Sequence, residues 1–143
     1  MIDYIKKNIR AVLKSVTEVL SSTKVGRFVN ELIIDDVMRR VQKVEFHGVN
    51  LSFVVPNSLN RYRVETFSTK EPETLEWINE IPFGAHLWDI GANVGLYSIF
   101  AAKKGISVHA FEPSVFNLEI LARNIFLNGV VDNITIIPLP LSD

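Results

Sequence analysis

One segment constrains the fold of this chain more than any other: Asp89-Ile90-Gly91-Ala92-Asn93-Val94-Gly95. It follows a short apolar run at 86–90. It precedes a stretch in which Leu96, Ile99 and Phe100 fall at helical spacing and Gly105 supplies the stop. Gly91 and Gly95 permit a tight turn and let another group reach the backbone with no Cβ in the way. Asn93 tolerates left-handed backbone better than most residues. The helix that follows presents its first N–H groups to whatever occupies the loop. The pattern then repeats: 106–111 reads as strand, and Val115, Leu118, Leu121, Ala122 and Ile125 line a helix closed by Asn128-Gly129. A third strand begins over 134–137. Such alternation implies βαβ units with right-handed crossovers, hence an α/β fold. The expected architecture is a parallel sheet with the strand order third, second, first, because each right-handed crossover moves outward from the first strand.

Before this region the periodicity is different. Ile2, Ile5, Ile9, Val12, Val16 and Val19 recur at helical spacing, and Ser21-Ser22-Thr23 and Gly26 break the run. A second helix carries Val29, Leu32, Ile33, Val37 and Val41 on one side. Its acidic start (Glu31, Asp35, Asp36) and basic end (Arg39, Arg40, Lys43) suit the helix dipole. At residue 44 the period drops from 3.6 to 2, and alternation around His47-Gly48 predicts a β-hairpin ended by Pro56-Asn57-Ser58. Residues 59–67 are compatible with a short helix, and Pro72 opens a clearer one. The expected organisation is a helical extension over 1–43, a hairpin and helix over 44–82, and the first half of a Rossmann-like domain over 83–143.

Composition narrows the function classes. With 48% hydrophobic and 22% charged residues the chain is an ordinary globular one, which excludes a disordered or collagen-like protein. Zero Cys rules out disulfides and thiolate metal sites, and fits a reducing, cytoplasmic setting. No apolar run is long enough to span a membrane. Net charge is -1, which argues against a general nucleic-acid binder. That total conceals nine basic against five acidic residues over 1–43, and six against eleven thereafter. The basic helix at 2–20 suits packing on protein better than a membrane surface, because its polar face also carries Asp3 and Glu18.

Two acids mark the site. Asp89 falls at the carboxyl end of the first strand, where open α/β sheets bind ligands. Glu112 ends the next strand, where a carboxylate can accept from both ribose hydroxyls. A dinucleotide fingerprint would need glycine at 93 and 96, where this chain has Asn93 and Leu96. The nucleoside acid without the pyrophosphate spacing favours an adenosine ligand that lacks a diphosphate, and disfavours a nicotinamide cofactor. His47, His86 and His109 have no shared metal-ligand spacing, so no metal is expected. Glu71, Glu73, Glu76 and Glu80 read as a solvated helix face, and Glu71 and Thr74 chiefly as a helix start.

Asp-Ile-Gly-Ala-Asn-Val-Gly-Leu-Tyr-Ser (89–98), Ala-Phe-Glu-Pro-Ser (110–114), and Asn117, Asn124 and Asn128 together resemble the FkbM family of S-adenosylmethionine-dependent methyltransferases. The resemblance covers about residues 71–143 and rests on three motifs in order. It implies a class I Rossmann-like fold, S-adenosyl-L-methionine as cofactor, and O-methylation of a small molecule such as a sugar or natural product. On that pattern Asp89, Gly91, Asn93 and Gly95 match the loop that holds the methionine part of the cofactor. Glu112 matches the ribose acid, Pro113 lies where the adenine edge packs, and Ser142 begins a loop that reaches adenine. Pro140 departs from the pattern, which has a small residue with a free N–H there. No general base is assigned. Enzymes of this class continue past the third strand, so the resemblance implies the amino-terminal part of an enzyme, cut before the acceptor site. The alternative is a non-catalytic half-domain that binds an adenosine ligand or another chain. The partners expected are a small-molecule acceptor and no nucleic acid, with no transmembrane segment and with self-association through the uncovered edge at 85–90.

Overall fold

The computed structural model describes residues 2–141. They form two compact units, one ending at Met38 and the other starting at Arg39. The first is a pair of helices, α1 (Ile2–Ser21) and α2 (Lys24–Met38). A Cβ on Gly26, in the first turn of α2, would stand 1.8 Å from the Leu20 carbonyl oxygen, so the close approach of α2 to the end of α1 requires glycine there. Helix α2 stops at Met38, short of the basic residues that suggested a longer helix. Val41 instead pairs with Val54, and a strand partner for this β-branched residue outweighs the helical charge pattern.

The second unit opens with the hairpin of β1 (Val41–Phe46) and β2 (Val49–Val54). His47 and Gly48 both have positive φ, +48° and +78°, the backbone a two-residue hairpin turn needs. Three helices follow: α3 (Ser58–Glu65), α4 (Phe67–Lys70) and α5 (Pro72–Glu80). Asn57 caps α3 by accepting from the Asn60 N–H at 2.9 Å. The chain then runs through β3 (His86–Ile90), α6 (Leu96–Lys103), β4 (Ser107–Phe111), α7 (Val115–Leu127) and β5 (Ile134–Ile137). The sheet is parallel, in the order β3-β4-β5, as the alternating pattern predicted.

On one face of this sheet Leu87, Val108, Ala110 and Ile134 are buried in a core with Ile99, Phe100, Leu121 and Ile125. On the other, Trp88 and Ile90 are each 62% exposed. Among the described residues β3 pairs only with β4, at the edge of the sheet. The hairpin's own edge is closed by side chains. Asn124 Oδ1 accepts from the Val54 N–H at 2.8 Å, and Asn128 both accepts from the Ser52 N–H and donates to the Ser52 carbonyl. Asn124, wholly buried, also donates to the Val94 carbonyl at 2.8 Å. Two asparagines on α7 thereby tie the hairpin to the end of the glycine loop, and satisfy backbone groups that burial would otherwise leave unpaired.

Candidate functional site

The loop between β3 and α6 takes its shape from left-handed residues: Gly91 (φ +80°), Asn93 (+56°) and Gly95 (+86°). The Gly91 and Ala92 N–H groups both donate to the Phe111 carbonyl at 2.9 Å, which anchors the loop on the end of β4. Glu112, buried just beyond that strand, spans the same gap with its side chain. Its Oε2 accepts from the Asn93 N–H and its Oε1 from the Ser114 N–H, each at 2.8 Å. Asp89 braces the other side by accepting from the Ser98 hydroxyl in the first turn of α6, where the helix dipole favours negative charge. Burial nevertheless raises the Asp89 pKa above the usual carboxylate value, helped by the nearby Glu112 charge and opposed by the Ser98 hydrogen bonds.

A cleft of ≈ 390 Å³ opens along this loop. Asp89, Gly91 and Asn93 line one side of it, and Arg63, Lys70, Glu71 and Thr74 line the wall formed by α3, α4 and the start of α5. Glu71 is held from both ends: the Tyr97 hydroxyl donates to its Oε2 at 3.0 Å, and Lys70 Nζ lies 3.3 Å from its Oε1. Burial, and then the hydrogen bond to Glu71, push the Tyr97 hydroxyl well above its ordinary pKa, so it stays a donor. Arg63 Nη1 donates to Asn60 Oδ1 at 3.1 Å.

The structure brings together some of the residues singled out in the sequence and separates others. Asp89, Gly91 and Asn93 face the cleft. Gly95 packs inward instead; a Cβ there would stand 2.4 Å from Leu121 Cδ1. Glu112 sits behind the loop, in contact with Asn93 rather than on the cleft lining. Pro113 is exposed. Ser142 lies outside the described residues. Glu71 and Thr74, read chiefly as a helix start, reach the cleft, and Arg63 and Lys70 join them without any warning from the sequence. They sit in a stretch of mixed polar residues with no clear period, and only the packing of Phe67 and Val64 into the core sets which way they face. Among the described residues no three His, Asp or Glu side chains are grouped to hold a metal ion, and no helix is long and apolar enough to cross a membrane.

The arrangement has counterparts of known structure. TYW2 from Pyrococcus horikoshii, in complex with MeSAdo, matches with a TM-score of 0.51 at 20% identity, over 70% of this chain and 36% of that one. A SAM-dependent methyltransferase from Agrobacterium tumefaciens matches with a TM-score of 0.50 at 13% identity, over 71% of this chain and 33% of that one. The fold is Rossmann-like. In sequence, the chain is 29% identical over 75 residues to tRNA (uracil(54)-C(5))-methyltransferase from Pyrococcus abyssi (strain GE5 / Orsay), a stretch of 52% of this chain and 18% of that enzyme. No protein-family model matches. The chain therefore spans about a third of the structures it resembles and less than a fifth of the curated relative.

Two expectations change. The resemblance to the FkbM family is supported only at the coarser level: the proteins resembled include S-adenosylmethionine-dependent methyltransferases, and the FkbM family itself is not among them. The exclusion of nucleic acid as a partner, with a small molecule as acceptor, is overturned by the similarity to an enzyme of tRNA. The error lay in the charge argument. Net charge speaks to non-specific attraction of a polyanion, and a substrate base is recognised by local contacts that a whole-chain sum does not report.

Proposed function

We propose that this chain forms the methyl-donor half of an S-adenosylmethionine-dependent methyltransferase, with residues 83–143 as the first half of the donor-binding domain and an RNA base as acceptor. The observation that carries the donor site is the loop at the carboxyl end of β3, whose Gly91 and Asn93 open onto the cleft. The residues present fit such a ligand. The cleft's ≈ 390 Å³ falls within the range of about 300–1,000 Å³ common for small-molecule sites. No atom lies within 4 Å of where a Gly91 Cβ would stand, so the backbone there is open to a ligand.

The roles follow from the geometry. Gly91 and Asn93 admit the ligand against the backbone. Glu112 sits behind the loop and spends one lone pair on each oxygen on the Asn93 and Ser114 N–H groups; its match to the ribose acid of the motif supports a ribose contact through the lone pairs that remain. Asp89 and Glu71 give the cleft carboxylates that favour a cationic sulfonium. When bound, the donor supplies an electrophilic methyl group, and the chain's contribution is to fix its position. The RNA acceptor is supported by the similarity to the tRNA enzyme, and the motifs at 89–98 and 110–114 support the donor site. A cytoplasmic setting belongs to the same reading and is supported by the Cys-free composition.

Calorimetric titration of S-adenosylhomocysteine into the full chain tests the donor site. One-site binding, competed by S-adenosylmethionine, is expected. A silent titration against folded protein overturns the proposal. Addition of tRNA to the ligand-loaded chain tests the acceptor separately: a mobility shift is expected, and its absence removes the RNA reading alone.

A further inference from the structure

The helical wall of the cleft carries two cations, and their surroundings differ. Lys70 is matched by the Glu71 carboxylate at 3.3 Å. Arg63 has no carboxylate partner among the described residues. Its Nη1 donates to Asn60 Oδ1, a neutral acceptor, at 3.1 Å. Asn60 is itself 2% exposed, with its backbone N–H held by the Asn57 cap. A buried asparagine thus steadies the guanidinium through one N–H and leaves the remainder of the planar donor fork for the cleft, where Arg63 forms part of the lining. A guanidinium fork pairs best with a planar carboxylate, which it can bind through two parallel hydrogen bonds. Asp89 and Glu71 disfavour an anionic group beside them, and Lys70 is paired with Glu71, so of the two cations on this wall Arg63 is the one without a carboxylate partner among the described residues.

We propose that Arg63 anchors the α-carboxylate of the donor's amino-acid moiety and so determines specificity for a ligand that carries that tail. The inference rests on the donor-binding reading above, and adds the helical wall to a site otherwise built from the glycine loop.

The test uses two ligands that share the adenosine and thioether parts: S-adenosylhomocysteine, with the amino-acid tail, and 5′-methylthioadenosine, without it. Both are titrated into the full wild-type chain, Arg63→Met and Arg63→Lys. Arg63→Met is expected to weaken S-adenosylhomocysteine binding by about 10- to 100-fold, the range for a hydrogen bond to a charged group. Affinity for 5′-methylthioadenosine should stay unchanged, which also reports that the variant is folded. Arg63→Lys should recover part of the loss, because it restores charge without the fork. Unchanged S-adenosylhomocysteine affinity in Arg63→Met, or equal loss of both ligands, overturns the anchor while leaving the donor site in place. A wild-type chain that binds neither ligand removes the donor-binding reading and the anchor with it.

Discussion

The two ends of the glycine loop share a left-handed backbone and little else. Gly91 faces open space on the cleft, with nothing within 4 Å of a hypothetical Cβ. Gly95 faces the core, where the same atom would meet Leu121 Cδ1 at 2.4 Å and Ile99 Cδ1 at 3.3 Å. Asn124 then fixes the Gly95 end from behind by donating to the Val94 carbonyl, whereas the Gly91 N–H is tied to the Phe111 carbonyl of the neighbouring strand. Identical residue types in one motif therefore do separate jobs. One glycine keeps the site accessible, and the other lets α7 approach closely enough to hold it.

Alanine at each position should separate these jobs, and Gly95→Ala should give the larger effect. It combines left-handed strain with overpacking against a wholly buried leucine, so it should destabilise by about 2–4 kcal/mol. Gly91→Ala meets only the strain, about 1 kcal/mol, but puts a methyl group into the cleft. Urea denaturation measures the first quantity and S-adenosylhomocysteine titration the second. Equal stability losses at the two positions would show that the structural distinction between the ends is wrong.

Glu112 joins the two jobs, and it sharpens the comparison with a smaller expected change. Both oxygens accept backbone N–H groups in the absence of ligand, so Glu112→Ala should lower stability by about 1.5–3 kcal/mol as well as weaken donor binding. A variant of full stability with lost affinity would make this carboxylate a ligand contact only. Nothing in the sequence could announce the bracing role. The strand that ends at Phe111 and the acid after it were legible from a short apolar run and its spacing to Gly91; the partner N–H groups on Asn93 and Ser114 depend on how the loop folds back. The same limit explains the asparagines. Asn124 and Asn128 were visible as part of a motif, yet their partners in β2 lie 70 and 76 residues away, and only the packed structure supplies them. Strand order and element types in 86–137 were readable because glycine and asparagine punctuate them. The Arg63 wall was not, since its orientation comes from tertiary packing.

The smallest effect concerns Asp89, at the Gly91 end, and it is a question of pH. Burial raises its pKa above the ordinary value of 3.8 despite the Ser98 hydrogen bonds. The folded state then holds the proton more tightly than the unfolded chain. Stability must therefore decline as pH rises from that ordinary value through the raised one, and level off above it. Asp89→Asn keeps an oxygen for the Ser98 hydroxyl and removes the charge. It should flatten this part of the profile and leave neutral-pH stability equal to wild type or slightly above it, while donor affinity falls. Urea denaturation of both proteins from about pH 4 to 8 would show the difference as a slope present in one and absent in the other. If the variant is instead less stable at neutral pH, the charged Asp89 is a net brace for α6, and the Gly91 end is held for structure as firmly as the Gly95 end. If the flattening appears together with weakened ligand binding, the protein keeps a desolvated charge at the cleft at some cost in stability because the ligand requires it.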